Sequence, residues 1–401
     1  MSRLLIIGSG WEQEALIKEA KKQGHFVIAT HPGMNTDGFA LADVRFVKDS
    51  LDISSHLQIA RTYQVDGIVT DNCDYSLYTA AVVCQTLGLP FNSIKSALFS
   101  NDKFAQRNAC AAGNITQPEY YKVQTYEELE SAAGSLGYPL IIKPVDSRGT
   151  FGVTKVESVE ELQGAFIDAL SNSASHSLIC EKFIKGTLVT VDGFVFSNGH
   201  RSMSVASRTF EEGAKPVTKE IIYPARFDQA LNVRLMGNHD AVVAALGYHQ
   251  GHTHGEYIVT EDQEIFLVEC TNRGGGVYTS STLVPELSQI NLNEILINQS
   301  LGIDTFEMEG NGPELMKKSV ILTFLDMEVG KVIKSVNLEE MQNKPYVLEY
   351  RMIFDENEMV ESIDNCASRH SMLALTGPDA EQSLKNLEDF KSNLNVEYYE
   401  S

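Results

Sequence analysis

The 401 residues carry 54 acidic against 32 basic side chains, a formal charge of −22. This repels nucleic-acid phosphates and anionic lipid headgroups, and no basic patch offsets it. The length points to two or three domains with ample core. Six cysteines (Cys73, Cys84, Cys110, Cys180, Cys270 and Cys366) lie far apart with no C-x-x-C pair, which argues against a zinc or disulfide framework and reads as reduced thiols in a cytoplasmic protein.

In chain order, Leu4-Leu5-Ile6-Ile7 is too short for a signal-peptide core or a membrane span and reads as a first buried strand. Further apolar runs at 26–29 and 68–70, separated by helical stretches at 12–23 and 54–63, predict a parallel α/β sheet. Gly8-Ser9-Gly10 opens like a dinucleotide fingerprint, but Gln13 stands at the third glycine position. A tight strand-to-helix turn explains these glycines better than NAD or FAD does. Gly88-Leu89-Pro90 ends a helix and marks a first domain boundary; two short helices follow to residue 112, with Asn101-Asp102 as a cap between them.

An α+β region begins near residue 118. Thr125-x-x-Glu128 and Ser158-x-x-Glu161 are capping boxes, each announcing a helix, with the strand Leu140-Ile141-Ile142-Lys143 and a glycine loop between them. Strands dominate 178–224, a helix spans roughly 228–246, and a strand pair at 253–259 and 265–270 follows. A helix returns at 289–300, and the last 90 residues or so read as a small α+β domain.

Several residues in this frame point to chemistry. Lys103 opens a helix and Lys143 closes an apolar strand, where an ammonium needs an anionic partner or a route to solvent. Beyond Lys143, the loop Asp146 to Val153 contains Gly149, Thr150 and Gly152, whose backbone N–H groups and hydroxyl suit a phosphate. No Walker A loop occurs, which disfavours P-loop chemistry; an ordinary hairpin turn is the plain alternative. Glu181-Lys182-Phe183-Ile184 leaves an apolar strand just before a turn, a place where backbone groups and an apolar slot can take an adenine edge, or simply a solvated strand end.

The most informative constellation is His252-x-His254-x-Glu256 on one strand and Glu269 on the next, joined by a turn near 260–263. Alternation puts both histidines and Glu256 on one face, with Glu269 alongside. Facing carboxylates call for a cation between them. Mg²⁺ suits hard oxygen ligands and nucleotide phosphates, with Mn²⁺ as a substitute. Zinc on His-x-His-x-Glu is the competing reading, but it leaves Glu269 and Arg273 without a role.

In order and spacing, Lys103, Lys143, the glycine loop, Glu181-Lys182-Phe183-Ile184, Glu256 and Glu269 resemble the ATP-grasp superfamily over nearly the whole chain. The resemblance implies an α/β and α+β architecture: a Rossmann-like pre-ATP-grasp domain at 1–92, a two-lobed core at 93–310 (small lobe about 115–182, large lobe about 185–310) and a C-terminal α+β domain at 311–401. It implies that Lys103, Lys143 and the loop meet ATP phosphates, that the Lys182 carbonyl and Ile184 amide meet adenine, and that Glu256 and Glu269 hold Mg²⁺. Arg273 would stabilise the transferring phosphoryl group or the substrate carboxylate, with His254 facing substrate. From its own composition, the polar, glycine-containing segment 207–220 reads as a loop that meets substrate, with Arg208 as a carboxylate contact or else a solvated loop charge. Two departures stand out. Leu188 occupies the stretch where relatives carry a ribose-binding carboxylate. The usual Glu-x-Asn-x-Arg ending reads Glu269-Cys270-Thr271-Asn272-Arg273, which leaves Thr271 or Asn272 to complete the metal site, with Asn272 carried forward as the third ligand.

The expectation is an ATP- and Mg²⁺-dependent ligase that activates a small-molecule carboxylate as an acyl phosphate and joins it to an amine, with a homodimer as the default assembly. The alternatives are a bicarbonate-using enzyme like carbamoyl-phosphate synthetase or biotin carboxylase, and a nucleotide-binding protein without chemistry.

Overall fold

The computed structural model describes residues 1–147, 150–210, 217–303, 306–309, 316, 318–363 and 368–399. Its first unit contains strands β1 (Arg3–Ile7), β2 (Phe26–His31), β3 (Val44–Val47) and β4 (Gly67–Val69) with helices α1 (Glu14–Lys22), α2 (Ile53–Tyr63) and α3 (Asp74–Leu87). The strands pair in parallel in the order β3-β2-β1-β4. Leu4 to Ile7 have no exposure at all, since β1 lies inside the sheet with apolar layers on both faces. The tight turn expected after β1 is present, with Gly8 at φ +112°.

Helices α4 (Ile94–Phe99) and α5 (Lys103–Ala112) lead into the small lobe, which comprises β5 (Tyr120–Val123), α6 (Tyr126–Leu136), β6 (Leu140–Pro144), β7 (Thr154–Val156), α7 (Leu162–Ser171) and β8 (Leu178–Lys182). Asp102 Oδ1 accepts from Ala105 N and so sets the start of α5 at Lys103, a cap of about 1 kcal/mol. The box at Thr125 and Glu128 is formed as expected. Ser158 makes no side-chain cap, and Glu161 instead accepts from Glu157 N ahead of a short 3₁₀ turn.

The rest is organised by β9 (Thr187–Phe196), β10 (Gly199–Phe210), β11 (Thr218–Tyr223), α8 (Gln229–Leu246), β12 (Gly251–Val259), β13 (Ile265–Thr271), α9 (Val284–Ser288) and α10 (Leu292–Ser300). The chain then continues through β14 (Ser319–Thr323), β15 (Ile333–Val336), α11 (Leu338–Gln342), β16 (Val347–Met352), β17 (Ser371–Gly377), α12 (Ala380–Asn393) and β18 (Val396–Tyr398). One sheet takes up most of these strands, in the order β13-β12-β9-β10-β11-β14-β17-β16. The C-terminal segment, expected as a separate domain, therefore extends the large lobe's sheet through the β11·β14 pair while keeping an apolar cluster around Phe390 and Leu373. Among the described residues, no helix is long and apolar enough to cross a membrane.

Candidate active site

The floor of the site is the face of β9, β12 and β13 turned away from α8. Directly opposed residues of antiparallel strands point to the same side, so the register fixes who shares the floor. Leu188, Ile258 and Phe266 form one cross-strand row. Thr190, Glu256 and Glu269 form the next, and Asp192, His254 and Thr271 the third. Tyr257 pairs with Leu267 while Glu256 pairs with Glu269, so Val268 is an extra residue in β13. This bulge keeps both Phe266 and Glu269 on the floor; without it one of them would turn into the core.

Glu256 and Glu269 stand directly opposite each other, and each has a cation at hand. Arg208 Nη1 donates to Glu256 Oε1 at 2.8 Å, and Lys103 Nζ lies 3.5 Å from Glu269 Oε2. Burial would raise the Glu256 carboxyl, but Arg208, His254 and Arg273 outweigh it and hold it well below the usual carboxylate range. His254 places Nδ1 at 2.7 Å from Asp192 Oδ1 and Nε2 at 3.9 Å from Glu256 Oε1. The other Asp192 oxygen accepts from the Tyr223 hydroxyl at 2.9 Å. Burial disfavours an imidazolium here, yet the Asp192 charge and hydrogen bond, with Glu256, raise His254 above its ordinary value.

Lys103 enters the cleft from α5 and donates to Ser147 O at 2.6 Å in the loop after β6. Asp74, Tyr75, Lys103, Ser147, Glu269 and Arg273 are among the residues lining this narrow space. Arg273 forms a two-pronged pair with Asp74, Nε to Oδ1 at 3.0 Å and Nη2 to Oδ2 at 3.1 Å. That charge raises the already high guanidinium value although the side chain is largely shielded from solvent. A larger cavity of about 660 Å³ opens beside it at the carboxyl ends of β1 and β2, lined by Trp11, Glu12, His31, Lys48, Asn72 and Arg351 among others. Tyr75 borders both spaces.

Several expected site residues are engaged within the protein. Lys143, expected at phosphate, is 5 % exposed, and its Nζ lies 2.8 Å from Glu181 Oε2. The other Glu181 oxygen accepts from Arg107 Nε at 2.8 Å. Glu181 is thus held between two buried cations. Burial would raise its carboxyl, but Arg107 and Lys143 hold it at about 2. The Lys182 ammonium caps the end of α6 on the carbonyls of Leu136, Gly137 and Tyr138. Phe183 lies under Lys155 Nζ at 4.3 Å, and Phe183 N donates to Pro139 O. Phe183 to Gly186 form the link between the lobes, where the Lys182 carbonyl and the Ile184 amide sit.

Gly149 lies outside the described residues, as do 211–216 and Cys366. Thr150 is exposed, and Gly152 adopts φ +70° with Asn172 and Pro144 packed against it. Arg208, expected in a substrate-facing loop, is a strand residue of β10 committed to Glu256. Asn272 is turned from the floor. No bulge interrupts the ladder between Glu269 and Thr271, and Asn272 Nδ2 donates to the carbonyls of Gln250 and His252 at 3.0 and 2.8 Å. His252 packs edge-on to Phe194 with Nε2 4.0 Å from Asp71, so the zinc reading loses its first ligand.

Sequence reasoning missed Asp192, Tyr223, Arg107 and Asp74. The signal for Asp192 was a single acid inside the apolar run Leu188 to Phe196, where a buried charge requires a partner. For Asp74 no local signal existed, because its partners are 199 and 197 positions away.

The donor set suits a hard cation. Glu256 and Glu269 are directly opposed in the ladder, and the buried Thr190 hydroxyl, directly across from Glu256, has no partner among the described residues. Among the described residues no three His, Cys, Asp or Glu side chains gather as a metal cage. One or two carboxylates completed by nucleotide phosphates is the usual magnesium arrangement.

Residues 136–281 match the model of the ATP-grasp domain. The chain is 27% identical over 217 residues to D-alanine–D-alanine ligase of Geobacter sulfurreducens, covering 52% of this chain and 66% of the relative. It is 27% identical over 205 residues to formate-dependent phosphoribosylglycinamide formyltransferase of Bacteroides thetaiotaomicron, covering 48% and 51%. The matches thus take in about half to two thirds of these curated relatives. Among solved structures, L-amino acid ligase from Bacillus licheniformis superposes with a TM-score of 0.82 at 18% identity, covering 100% and 99% of the two chains. Phosphoribosylglycinamide synthetase from Anaerococcus prevotii gives 0.79 at 20%, covering 99% and 100%. These likenesses show the ATP-grasp fold.

Proposed function

We propose that this chain, built on an ATP-grasp domain over residues 136–281, is a ligase that uses ATP to activate a small-molecule carboxylate as an acyl phosphate and passes the acyl group to an amine. One observation carries this reading. Glu256 and Glu269 are opposed on a cleft floor, with Lys103 3.5 Å from Glu269 and Arg273 lining the same space. Joining two anions is chiefly a matter of position and charge neutralisation, and this arrangement provides both. The ligase and phosphoribosylglycinamide relatives join acyl groups to amines by their names, which supports the same class.

Magnesium held by Glu256 and Glu269 would supply phosphate neutralisation and Lewis acidity. Lys103 is positioned for phosphate oxygens, and Arg273 for the substrate carboxylate or the phosphoryl group in transit. Leu188, Ile258 and Phe266 form an apolar row fit for the flat face of a base. The large cavity beside Tyr75 is the natural berth for the amine, since it lies outside the carboxyl ends of parallel strands and borders the phosphoryl cleft. A homodimer and a cytoplasmic location complete the proposal, the first measurable by sedimentation.

The test is phosphate release over paired carboxylates and amines. E269Q should lower turnover at least about a hundredfold while leaving the unfolding midpoint unchanged. Full activity in E269Q would remove the assigned role.

A further inference from the structure

Tyr75 stands between two unequal spaces. On one side is the narrow cleft of about 40 Å³ that holds Lys103, Glu269 and Arg273, and on the other the cavity of about 660 Å³ at the carboxyl ends of β1 and β2. Among the described residues Tyr75 alone lines both. A water needs about 10–15 Å³ of such space, so the cleft admits about three waters and no metabolite. With the acyl phosphate formed in the cleft and the amine seated in the cavity, the two reactants meet across Tyr75.

The rest of the cleft wall is held fast. Arg273 is forked onto Asp74, whose Oδ1 also accepts from the Thr271 hydroxyl. Asn101 Nδ2 donates to the carbonyls of Asp74 and Ala97 at 2.9 and 3.1 Å. Gln106 donates to the carbonyls of Phe99 and Cys270 and accepts from Cys270 N. Tyr75 differs from these. It is half-buried on the first turn of α3, and its hydroxyl meets Asp146 O at 3.4 Å, longer than an ordinary O–H···O bond. Asp146 belongs to the loop after β6, whose next carbonyl, Ser147 O, accepts from Lys103.

We propose that Tyr75 is a specificity-determining residue of the amidation step, its ring closing the cleft against water until a primary amine bound in the large cavity turns it aside. This rests on the ligase reading, which puts the acyl phosphate in the cleft. In that step the amine nitrogen bonds to the acyl carbon, the bond from that carbon to the phosphate oxygen breaks with its electron pair left on phosphate, and the amine's proton follows to the phosphate. Water in the amine's place returns the carboxylate and hydrolyses ATP without product. The cavity separates the two nucleophiles. An amine in contact with Trp11, Glu12 and Asp49 has binding energy that can turn the ring, and water has none. The slot beside one turned ring suits the slim end of a primary amine better than a disubstituted nitrogen.

The test is trapping with hydroxylamine, a small nucleophile that converts an acyl phosphate to a hydroxamate, run with ATP, Mg²⁺ and the carboxylate–amine pair that phosphate release selects. Without the amine the parent protein should form hydroxamate slowly. Y75A should form it at least about tenfold faster, and should release at least about tenfold more phosphate without amide. Y75A should also accept the N-methyl derivative of the amine, which the parent refuses. Y75F keeps the ring and should follow the parent in all three measurements. ADP affinity and the unfolding midpoint serve as controls. If Y75A does not fold, Y75L, which also removes the ring, decides. Hydroxamate formation and amide yield per phosphate equal to the parent's in the ringless variant overturn the proposal while leaving the ligase reading intact. A parent that forms no amide with any amine overturns both.

Discussion

Asp192 Oδ1 lies 2.7 Å from Nδ1 of His254, and that contact leaves Nε2 as the ring nitrogen facing Glu256. Both residues are at least nine-tenths buried and occupy the same cross-strand row. A carboxylate behind a histidine fixes its orientation, and losing it misplaces the ring even where the fold survives. D192N should therefore lower kcat about ten- to a hundredfold with the KM for ATP little changed, measured by phosphate release at saturating substrate. A proportional rise in KM alone would show that Asp192 serves binding.

The Arg107, Lys143 and Glu181 cluster predicts how the protein responds to acid. The Glu181 carboxyl is held at about 2 against an ordinary 4.5, so its contribution is present above about pH 4.5 and lost as pH falls toward 2. The difference corresponds to about 3 kcal/mol. In E181Q two buried cations lose their counter-charge, which costs about 3–5 kcal/mol near neutral pH. Urea unfolding at pH 6 and pH 3 should show the parent losing stability and E181Q losing much less. Parallel losses in both proteins would place the acid sensitivity elsewhere.

Trp11 is the sole tryptophan of the chain and lines the cavity assigned to the amine. It packs edge-on to Tyr278 at 5.1 Å, with the Arg351 guanidinium 5.5 Å from its ring. An amine substrate entering there should change Trp11 emission, and adding Mg²⁺ and ADP alone should change it little. Scanning amines by this signal separates acceptor binding from nucleotide binding. An accepted amine that leaves Trp11 emission unaltered would move the acceptor site out of this cavity.

What the sequence disclosed and what it withheld divide along physical lines. Alternation along residues 252–256 and the turn near 260–263 were enough to bring Glu269 onto the strand beside Glu256, because strand period and hairpin connection are local, but the Val268 bulge is what sets the two in direct register. Lys103 could be placed because Asp102 caps its helix. Lys143 and Glu181 pair with each other, and the second cation on Glu181, Arg107, lies 74 positions away and reaches it only through tertiary packing. The face taken by Asn272 depended on whether a bulge lay before or after Glu269. Hydrophobic pattern cannot locate that bulge when both faces of a strand are partly buried. The joining of the C-terminal strands to the large sheet was hidden for the same reason: β11 and β14 pair across a hundred residues.

Gly274 closes the junction that holds Arg273 in place, and it admits no side chain. A β-carbon there would lie 2.1 Å from Ser280 Cβ and 3.0 Å from Asp71 Oδ1. Its φ lies outside the left-handed region, so the objection to alanine is steric. G274A must therefore push Ser280 or Asp71 aside, costing about 1–3 kcal/mol. Because the shift falls on the contacts that seat Asp74 against Arg273, turnover should fall more than ADP affinity does. Removing the Ser280 side chain relieves the clash but forfeits its bond to Asp71, so S280G alone should also destabilise. In the double variant G274A/S280G the steric part of the G274A cost disappears, and the combined loss should be smaller than the sum of the two single losses. Urea unfolding of the four proteins measures that coupling; strictly additive losses would mean that Gly274 is needed for some reason other than its closeness to Ser280.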